Sequence, residues 1–373
     1  MIIKGFKVKI HPNKEQQILM NKTFGCARFA YNWTLNKQLE AFKNGEKFIS
    51  EGELRKQFTE LKKDMKFKGE EWLYEIPNNA TKQAIKDCFR AYKNFFNKKA
   101  KKPRFKSRKH SKLSLYNDTY KIKVFEDKVQ LEVIGTMNLA EKNRIPKGKI
   151  YNPRISFDGI NYWLSINVEI DENQINKNKT KPIGLDFGIK TLITCSNEMN
   201  FNRINTRKEN KKLKRLQRKA SRHYTKMYKN KTTEKSKNLL KLEKSILKQH
   251  QKITNMRLNN IHQATTKLIK LNPSHIVIED LNTSNLIKNK HLSEKIADCS
   301  FYEIRRQLEY KCEWNNIKLI IANRWYPSSK VCSSCGNKKE KLSLSERTYK
   351  CECCNLKIDR DFNASINLMN LAM

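Results

Sequence analysis

Acidic residues are scarce in this sequence. Asp and Glu together number 37, against 78 Lys and Arg, so the formal net charge of the 373-residue chain is +41. A folded protein with such a surplus repels itself unless a polyanion neutralises it. Nucleic acid is the polyanion that this balance predicts, through contacts with its phosphates. An AT-rich genome would enrich Lys at the expense of Arg, but it would not remove acids.

Long apolar runs are also missing. The sequence contains no run of 18 apolar residues, so we expect neither a membrane-spanning helix nor a membrane partner. The first residues, MIIKGFKVKIHP, have the pattern of a strand and not that of a signal peptide. We therefore expect a cytoplasmic protein.

The ten cysteines do not have the distribution of a disulfide framework. Five lie in apolar stretches and are predicted to be reduced core residues: Cys26, Cys88, Cys195, Cys299 and Cys312. Four others form two C-x2-C pairs with 15 residues between them: Cys332, Cys335, Cys351 and Cys354. This spacing is typical of tetrahedral Zn²⁺. Four thiolates leave no open position, so the zinc would be structural, and Cys353 would be a spare thiol.

The N-terminal half changes pattern twice. Residues 1–10 alternate as a strand, and residues 13–100 read mostly as helix. The clearest helix spans residues 79–98, with an aromatic face and a basic face. Residues 114–170 are rich in strand patterns, and residues 171–181 are a polar linker. We expect these strands and residues 1–10 to close a small barrel around the helical insert.

From residue 182 onwards, strands alternate with helices, which is typical of an α/β domain. The predicted strands are 183–186, 191–196, 275–279 and 318–322, and the predicted helices are 205–270, 294–315 and 363–371. The first part of the 205–270 region carries one acid, Glu209, among many bases, which is more asymmetry than a solvated helix needs.

Three acidic positions close apolar segments. Asp186 ends one apolar strand, and Glu279 ends another. A carboxylate in such a place is costly unless it is paired or binds metal. Asp361 is predicted just before the last helix, where an Asp can also act as a cap. Carboxylates from distant segments that converge would suit Mg²⁺ or Mn²⁺. Asp280 and Asp359 are equally available neighbours, and the pattern alone does not choose between them.

Several longer stretches are familiar in combination. They are GCARFAYNWTL (25–35), AIKDCFRAYKNFF (84–96), PRFKSR (103–108), GLDFGIKTL (184–192), IVIEDLN (276–282), YPSSKVCSSCG (326–336) and CECCNLKIDRDFNASINL (351–368). Together they resemble the signature of the transposon-encoded TnpB (OrfB) family, which is related to the type V CRISPR effector nucleases. Departures are minor: Cys353 is extra, Asn323 stands where an acid is common, and Ser365 replaces a usual Ala.

The resemblance implies an RNA-guided, Mg²⁺-dependent DNA endonuclease that cuts next to a short motif by two-metal hydrolysis. It assigns Asp186, Glu279 and Asp361 to the metal-binding catalytic site. The resemblance thereby chooses Glu279 over Asp280 and Asp361 over Asp359. It implies a guide RNA from the transposon end, a double-stranded DNA target and, with one acidic triad and no coiled-coil heptads, a monomer. The implied α+β multidomain architecture is a wedge-like β-barrel (1–10 and 114–180), a helical recognition lobe (11–113), an RNase H-like (RuvC) domain (182–328 and 359–373) and an inserted zinc ribbon (329–358).

Basic and polar residues on the predicted helices and on the segment between the helices and the barrel are candidate nucleic-acid contacts. They are Lys82, Gln83, Lys86, Arg90, Arg104, Lys106, Lys211, Lys212, Arg215, Arg218 and Arg222. Asn79, Lys82 and Gln83 are also candidates to read the target-adjacent motif, although ordinary solvent exposure explains polar residues there equally well.

Two other functions compete with the nuclease. The first is an RNA-guided repressor that has lost cutting, and the three intact acids speak against it. The second is a transposase that joins DNA strands itself, but no H-x-H cluster with a tyrosine nucleophile is present. The guide sequence and the target-adjacent motif are not encoded in the chain.

Overall fold

The computed structural model describes residues 2–171, 178–283, 288, 293–343 and 345–372. The chain divides into two compact units, Met1–Glu172 and Asn173–Met373. Both mix helices and strands, so the predicted α+β class is confirmed. Residues 172–177 of the predicted linker lie outside the described residues. In the described part of the chain, no helix combines the length and the apolar character needed to cross a bilayer.

The first unit contains a seven-stranded antiparallel sheet. Its strands are β1 (Ile2–His11), β2 (Leu113–Tyr116), β3 (Lys123–Val124), β4 (Lys128–Leu131), β5 (Gly135–Leu139), β6 (Ile150–Phe157) and β7 (Tyr162–Ile170). Their order is β2-β6-β7-β1-β5-β4-β3. β3 begins only at Lys123, because the Asp118 side chain accepts the N–H of Tyr120 and caps a 3₁₀ turn, Thr119–Lys121, directly before it.

One face of this sheet forms an apolar core. Along β1, Phe6, Val8 and Ile10 alternate with lysines, as the period of a strand requires. The same core receives Leu115 from edge strand β2 and packs Val124 from the opposite edge strand, β3. A single core that is shared by both edges requires the sheet to curl around it.

Three helices complete the first unit: α1 (Lys14–Lys43), α2 (Glu51–Phe67) and α3 (Asn78–Phe96). The predicted helical region 13–100 is therefore three helices. Asn13 and Gln16 form a capping box at the start of α1. Met20 and Phe24, early in α1, join the core of the sheet, whereas residues further along it pack with α2 and α3.

The second unit is built on a five-stranded mixed sheet. Its strands are β8 (Ile183–Phe187), β9 (Thr191–Cys195), β10 (Asn200–Asn202), β11 (His275–Ile278) and β12 (Lys318–Ile321), in the order β10-β9-β8-β11-β12. β8, β9 and β10 are antiparallel neighbours, and β11 is parallel to both β8 and β12. A small hairpin follows, β13 (Thr348–Lys350) with β14 (Lys357–Asp359).

The helices of this unit are α4 (Arg207–Lys229), α5 (Lys237–Lys270), α6 (Ser293–Cys299), α7 (Phe301–Trp314) and α8 (Arg360–Asn370). The region predicted as helix at 205–270 contains two helices, and Ser236 caps the second. The predicted helix 294–315 is divided at Ser300, whose φ of 49° is left-handed and cannot continue an α-helix.

The last helix, α8, begins three residues before its predicted start at 363. The Asp359 side chain accepts the N–H groups of Asp361 and Phe362, which is the role of an N-cap. Asp361 therefore lies in the first turn of the helix. The sequence pattern predicts it just before the helix, and this prediction is wrong.

The five-stranded sheet is covered on both faces. Alternate residues of its central strands, such as Leu185 and Ile278, pack against α5, α6 and α7. On the other face, Val277 packs with Leu368 of α8. Gly184 faces α8 so closely that an added Cβ would lie 2.0 Å from the Ser365 carbonyl oxygen and 2.5 Å from the Met369 nitrogen. Only glycine permits this approach of helix and strand.

We expect Gly184→Ala to destabilise the protein by about 1–3 kcal/mol or more, because the obstructing atoms are backbone. Chemical denaturation followed by circular dichroism measures the change. Gly25→Ala is the control. Gly25 lies inside α1 with nothing within 4 Å of its added Cβ, so this change should stabilise the helix by up to about 1 kcal/mol. Equal stability of Gly184→Ala and the unchanged protein would contradict the packing of α8 on β8.

Candidate metal and nucleic-acid site

Asp186 and Glu279 lie side by side at the ends of two neighbouring parallel strands. Leu185 pairs with Ile278, so the residues that follow them occupy matching positions. Strand alternation turns Leu185 and Ile278 towards α5–α7, and it therefore turns Asp186 and Glu279 towards the face that α8 covers. Glu279 Oε1 accepts the N–H of Phe187, which fixes its carboxylate beside β8, at 3.3 Å.

Asp361 reaches the same place from α8. It lies in the first turn of that helix, which packs on β8 through the close contact at Gly184. The neighbouring Asp359 is occupied as the N-cap, with 3.0 and 2.9 Å bonds to the N–H groups of Asp361 and Phe362. The structure thus gives the two acids different roles: Asp359 starts the helix, and Asp361 is presented by it.

The three carboxyl groups influence one another electrostatically. Desolvation first, and then the charges of Glu279 and Asp361, raise the pKa of Asp186 well above its usual range. Burial raises the pKa of Glu279 to about 7, against the opposing effect of the Phe187 N–H, and Asp361 adds to the rise. Groups that resist ionisation through mutual repulsion are suited to a dication, whose charge would remove the penalty.

The three acids are neighbours, but their carboxylate oxygens are not as close together as the ligands of one bound ion. Among the described residues, the carboxylate oxygens of the three do not all lie within 4.8 Å of one another. Arg347 lies beside this cluster, with Nη1 3.8 Å from Asp361 Oδ2. Sequence patterns did not indicate Arg347, which precedes β13 in a region that reads as polar loop.

Asp280 turns away from the three acids. Its carboxylate accepts hydrogen bonds from Arg305, at 2.8 Å, and from Arg324, at 2.5 Å. The Arg324 bond, and then the Arg305 bond, lower the pKa of Asp280. Adjacent residues therefore have opposite environments, because Asp280 is paired with cations whereas Glu279 faces other acids.

The four predicted cysteines form a second cluster. The sulfur atoms of Cys332, Cys335, Cys351 and Cys354 all lie within 4.8 Å of one another. Two separations, Cys332 Sγ to Cys354 Sγ and Cys335 Sγ to Cys351 Sγ, are 3.6 and 3.5 Å. Tetrahedral zinc with Zn–S bonds of about 2.3 Å requires sulfurs roughly 3.8 Å apart. The cluster can hold a metal ion, and Cys353 is exposed and outside it.

Two buried asparagines of α8, the helix that carries Asp361, bind the segment that leads into the first cysteine pair. Asn363 accepts the N–H of Ser333, at 3.0 Å, and donates to the Val331 carbonyl, at 2.7 Å. Asn367, one turn later, donates to the same carbonyl and to that of Ser328. The helix that presents Asp361 is thus fixed by its polar face. These residues were not singled out from the sequence, although two asparagines four apart in the last helix were a visible signal.

The basic candidates occupy different environments. Lys82, Lys86 and Arg90 are exposed on α3, and Arg104 is exposed in the segment that follows it. Gln83 donates to Asp87, which also binds Arg90 and, through two bonds, Arg154. Lys106 is half-buried with its Nζ 3.7 Å from the Tyr31 ring centre. The α4 candidates form an exposed basic face: Lys211, Lys212, Arg215, Arg218 and Arg222.

Family models match three regions of the chain. A helix-turn-helix model covers residues 1–47, a model described as "Probable transposase" covers residues 165–290, and a model described as "Cas12f1-like, TNB domain" covers residues 301–368. The third region spans α7, β12, the cysteine cluster and most of α8.

The molecule is an α+β protein with an acidic cluster on a mixed sheet and a four-cysteine ribbon beside it. A candidate RNA-guided DNA endonuclease of Streptomyces pristinaespiralis is 32% identical over 98% of this chain and 88% of its own length. A second relative of the same description, InsQ of Escherichia coli K12, is 30% identical over 98% of this chain and 92% of its own length. The chain belongs to the TnpB (OrfB) family.

A solved structure has a related fold. The protein in the cryo-EM structure of a Cas12f1–sgRNA–target DNA complex matches 99% of this chain and 99% of its own, with a TM-score of 0.53 and 15% identity. At that identity the similarity describes the fold alone.

The raised pKa of Glu279 predicts a specific pH dependence in the absence of added Mg²⁺ or Mn²⁺. Its pKa rises from 4.5 to about 7 on folding, so the stabilising contribution present below pH 4.5 is lost as the pH rises through 7. Glu279→Gln should therefore equal the unchanged protein near pH 4.5 and exceed its stability at pH 8, by roughly 3 kcal/mol at most.

Urea denaturation across this pH range tests the expectation. Asp280→Asn is the control and should change stability in the opposite direction at pH 8, because it removes the partner of two arginines. A Glu279→Gln protein that is less stable than the unchanged one at pH 8 would contradict the raised pKa.

Cysteine substitutions test the second cluster. Cys351→Ser should lower the zinc content of the purified protein, because it removes one of four converging sulfurs. Cys353→Ser should leave the zinc content unchanged, since that thiol lies outside the cluster. Metal analysis by mass spectrometry measures both. Equal zinc loss in the two variants would show that the ligand set differs from the four cysteines.

Proposed function

We propose that this protein is an RNA-guided, Mg²⁺-dependent DNA endonuclease whose metal-binding catalytic residues are Asp186, Glu279 and Asp361. The observation that carries the proposal is the placement of these three carboxyl groups at one face of the sheet, where Glu279 and Asp361 both disfavour ionisation of Asp186. The chain has few acids, and a site that gathers three of them around the single arginine contact described above favours binding of divalent metal.

The strand order supports an RNase H-like (RuvC-type) nuclease domain. Three antiparallel strands continue into two parallel ones, and the acids lie on the central pair, β8 and β11. α8 delivers the third acid after the ribbon, so the ribbon is an insertion between two parts of this domain. The limits proposed for these parts are 182–328 and 359–373 for the nuclease and 329–358 for the ribbon.

Phosphodiester hydrolysis is the chemistry that such a site supports. Oxygen ligands suit Mg²⁺ or Mn²⁺, and two bound ions would supply an activated water and stabilise the leaving oxygen. The protein contributes the ionised carboxylates, their fixed positions and the desolvated setting. The Phe187 N–H orients Glu279, and the Asp359 cap orients Asp361. The cysteine cluster would hold a structural Zn²⁺ that keeps α8 in place.

RNA guidance and the DNA target are inferred from the relatives. Both similar proteins carry the description of RNA-guided DNA endonucleases, and this chain covers 88% and 92% of their lengths. The +41 charge and the basic face of α4 fit a polyanionic guide–target duplex that is bound by shape and phosphates. The curled sheet of the first unit would form the wedge-like barrel, and α1–α3 the recognition lobe. The "Probable transposase" match supports an association with a transposon, whose end would encode the guide RNA.

Replacement of one acid tests the nuclease assignment. Asp186→Ala should abolish cleavage of a target DNA by the purified ribonucleoprotein and retain its RNA-dependent DNA binding, as metal ligation is lost but the basic surfaces remain. Glu313→Gln is the control, because Glu313 is an exposed acid at the end of α7. Gel analysis of labelled DNA measures cleavage. Cleavage that survives Asp186→Ala would overturn the site assignment.

Sequencing of RNA that co-purifies with the protein tests guidance separately. A defined RNA with a variable 3′ end supports the proposal. If the purified protein carries no RNA and joins DNA strands by itself, the result would instead favour a transposase. RNA-dependent DNA binding without cleavage by the unchanged protein would favour a repressor.

A further inference from the structure

Trp325 is a large apolar side chain that the fold leaves in solvent. Its exposed fraction is 86%. The next residue, Tyr326, packs against the apolar cluster of Val277 and Leu368, and its hydroxyl donates to the Asn367 carbonyl at 3.2 Å. The chain therefore directs one of two adjacent aromatic rings into the protein and presents the other outwards.

The backbone around Trp325 is held firmly. Asn323 Oδ1 accepts the N–H of Trp325, and the Asn323 carbonyl accepts the N–H of Tyr326, both at 2.9 Å. Arg324 is bonded to Asp280, and Tyr326 is anchored as described above. Because its flanking residues are fixed on both sides, the indole is presented at a defined place and not by a loose loop.

That place is close to the acidic cluster. Ala322 donates its N–H to the Ile278 carbonyl at 2.8 Å, so Ala322 lies across from Glu279 on the neighbouring strand. Three residue-to-residue steps lead from Ala322 to Trp325 and span at most about 11 Å. This length corresponds to about three stacked nucleotides at roughly 3.4 Å each. A strand whose phosphate is bound at the acids has neighbouring bases within reach of the indole.

We propose that Trp325 stacks on an unpaired base of the nucleic-acid strand that enters the acidic cluster. Trp325 acts as a positioning residue for that strand, and the proposal rests on the nuclease function proposed above. An indole stacks on any base because every base presents a π-face. The strongly basic chain favours a polyanion over an acid-poor copy of itself as the occupant. Arg324, bonded to Asp280, keeps the turn in position.

Binding of a short, fluorophore-labelled oligothymidine to the purified ribonucleoprotein tests the stack. Proteins that also carry Asp186→Ala are used so that the strand is not consumed. Trp325→Ala should weaken binding about 5- to 100-fold at moderate salt, which is the range for loss of one base–aromatic stack. Trp325→Phe should recover most of the affinity, because a ring remains. Indole fluorescence should be quenched on binding, and the quench should be largely absent in Trp325→Phe.

Tyr302→Ala is the matched control, since Tyr302 is an aromatic residue with an exposed fraction of 69% near the start of α7. It should bind the oligonucleotide as the parent does. Thermal unfolding of Trp325→Ala should be unchanged, because the side chain has little packing to lose. Unchanged affinity in Trp325→Ala, or a quench that persists in Trp325→Phe, would overturn the proposal. An indole signal that follows protein concentration and not oligonucleotide would assign the ring to a protein contact.

Cleavage by proteins with an intact Asp186 separates this inference from the nuclease proposal. Trp325→Ala should raise the KM for the DNA substrate more than it lowers kcat. If the unchanged protein cleaves and Trp325→Ala cleaves equally well with unchanged KM, the stack is wrong and the nuclease stands. If no protein cleaves but binding and quench depend on Trp325 as described, the stack stands and the nuclease assignment fails.

Discussion

Repulsion between carboxyl groups is the constraint on which the second unit depends. Asp186 and Glu279 occupy matching positions on adjacent parallel strands, and Asp361 is brought to them by a helix. Desolvation and like charge raise the pKa of both strand acids. Such an arrangement persists only where the surrounding fold determines it, and here the parallel register and the Asp359 cap do so. A bound dication would convert this electrostatic cost into affinity.

Two other acids in the same unit are paired with two arginines each. Asp280 binds Arg305 and Arg324, and Asp298 binds Arg203 and Arg257. In the described part of the chain, the ion pair of the cluster is that of Asp361 with Arg347, 3.8 Å long, and the charge of Arg360 also acts on Asp186. The three grouped acids thus share one ion pair, whereas Asp280 and Asp298 each have two. The contrast separates structural carboxylates from those that are available to metal.

α8 connects the sheet, the acids and the cysteines. One side of it rests on Gly184, where any side chain would collide with the helix backbone. Its polar side is bonded through Asn363 and Asn367 to the segment that leads into the first cysteine pair. The position of Asp361 therefore depends on close packing on one side and on the folded ribbon on the other. Metal binding at the cysteines and at the acids, as proposed above, would therefore be coupled through this helix.

The sequence by itself determined the chemistry: the basic surplus, the spacing of four cysteines, strands that end in acids, and the motifs shared with a family. These are local patterns that need no partner segment, and the cysteine cluster and most elements were predicted from them. Tertiary structure decided the rest. It placed Glu279 among acids and Asp280 between arginines, ended one predicted helix at Ser300, and began α8 at Arg360. Local patterns cannot decide these points, because they depend on which distant side chain or backbone group comes within a few ångströms.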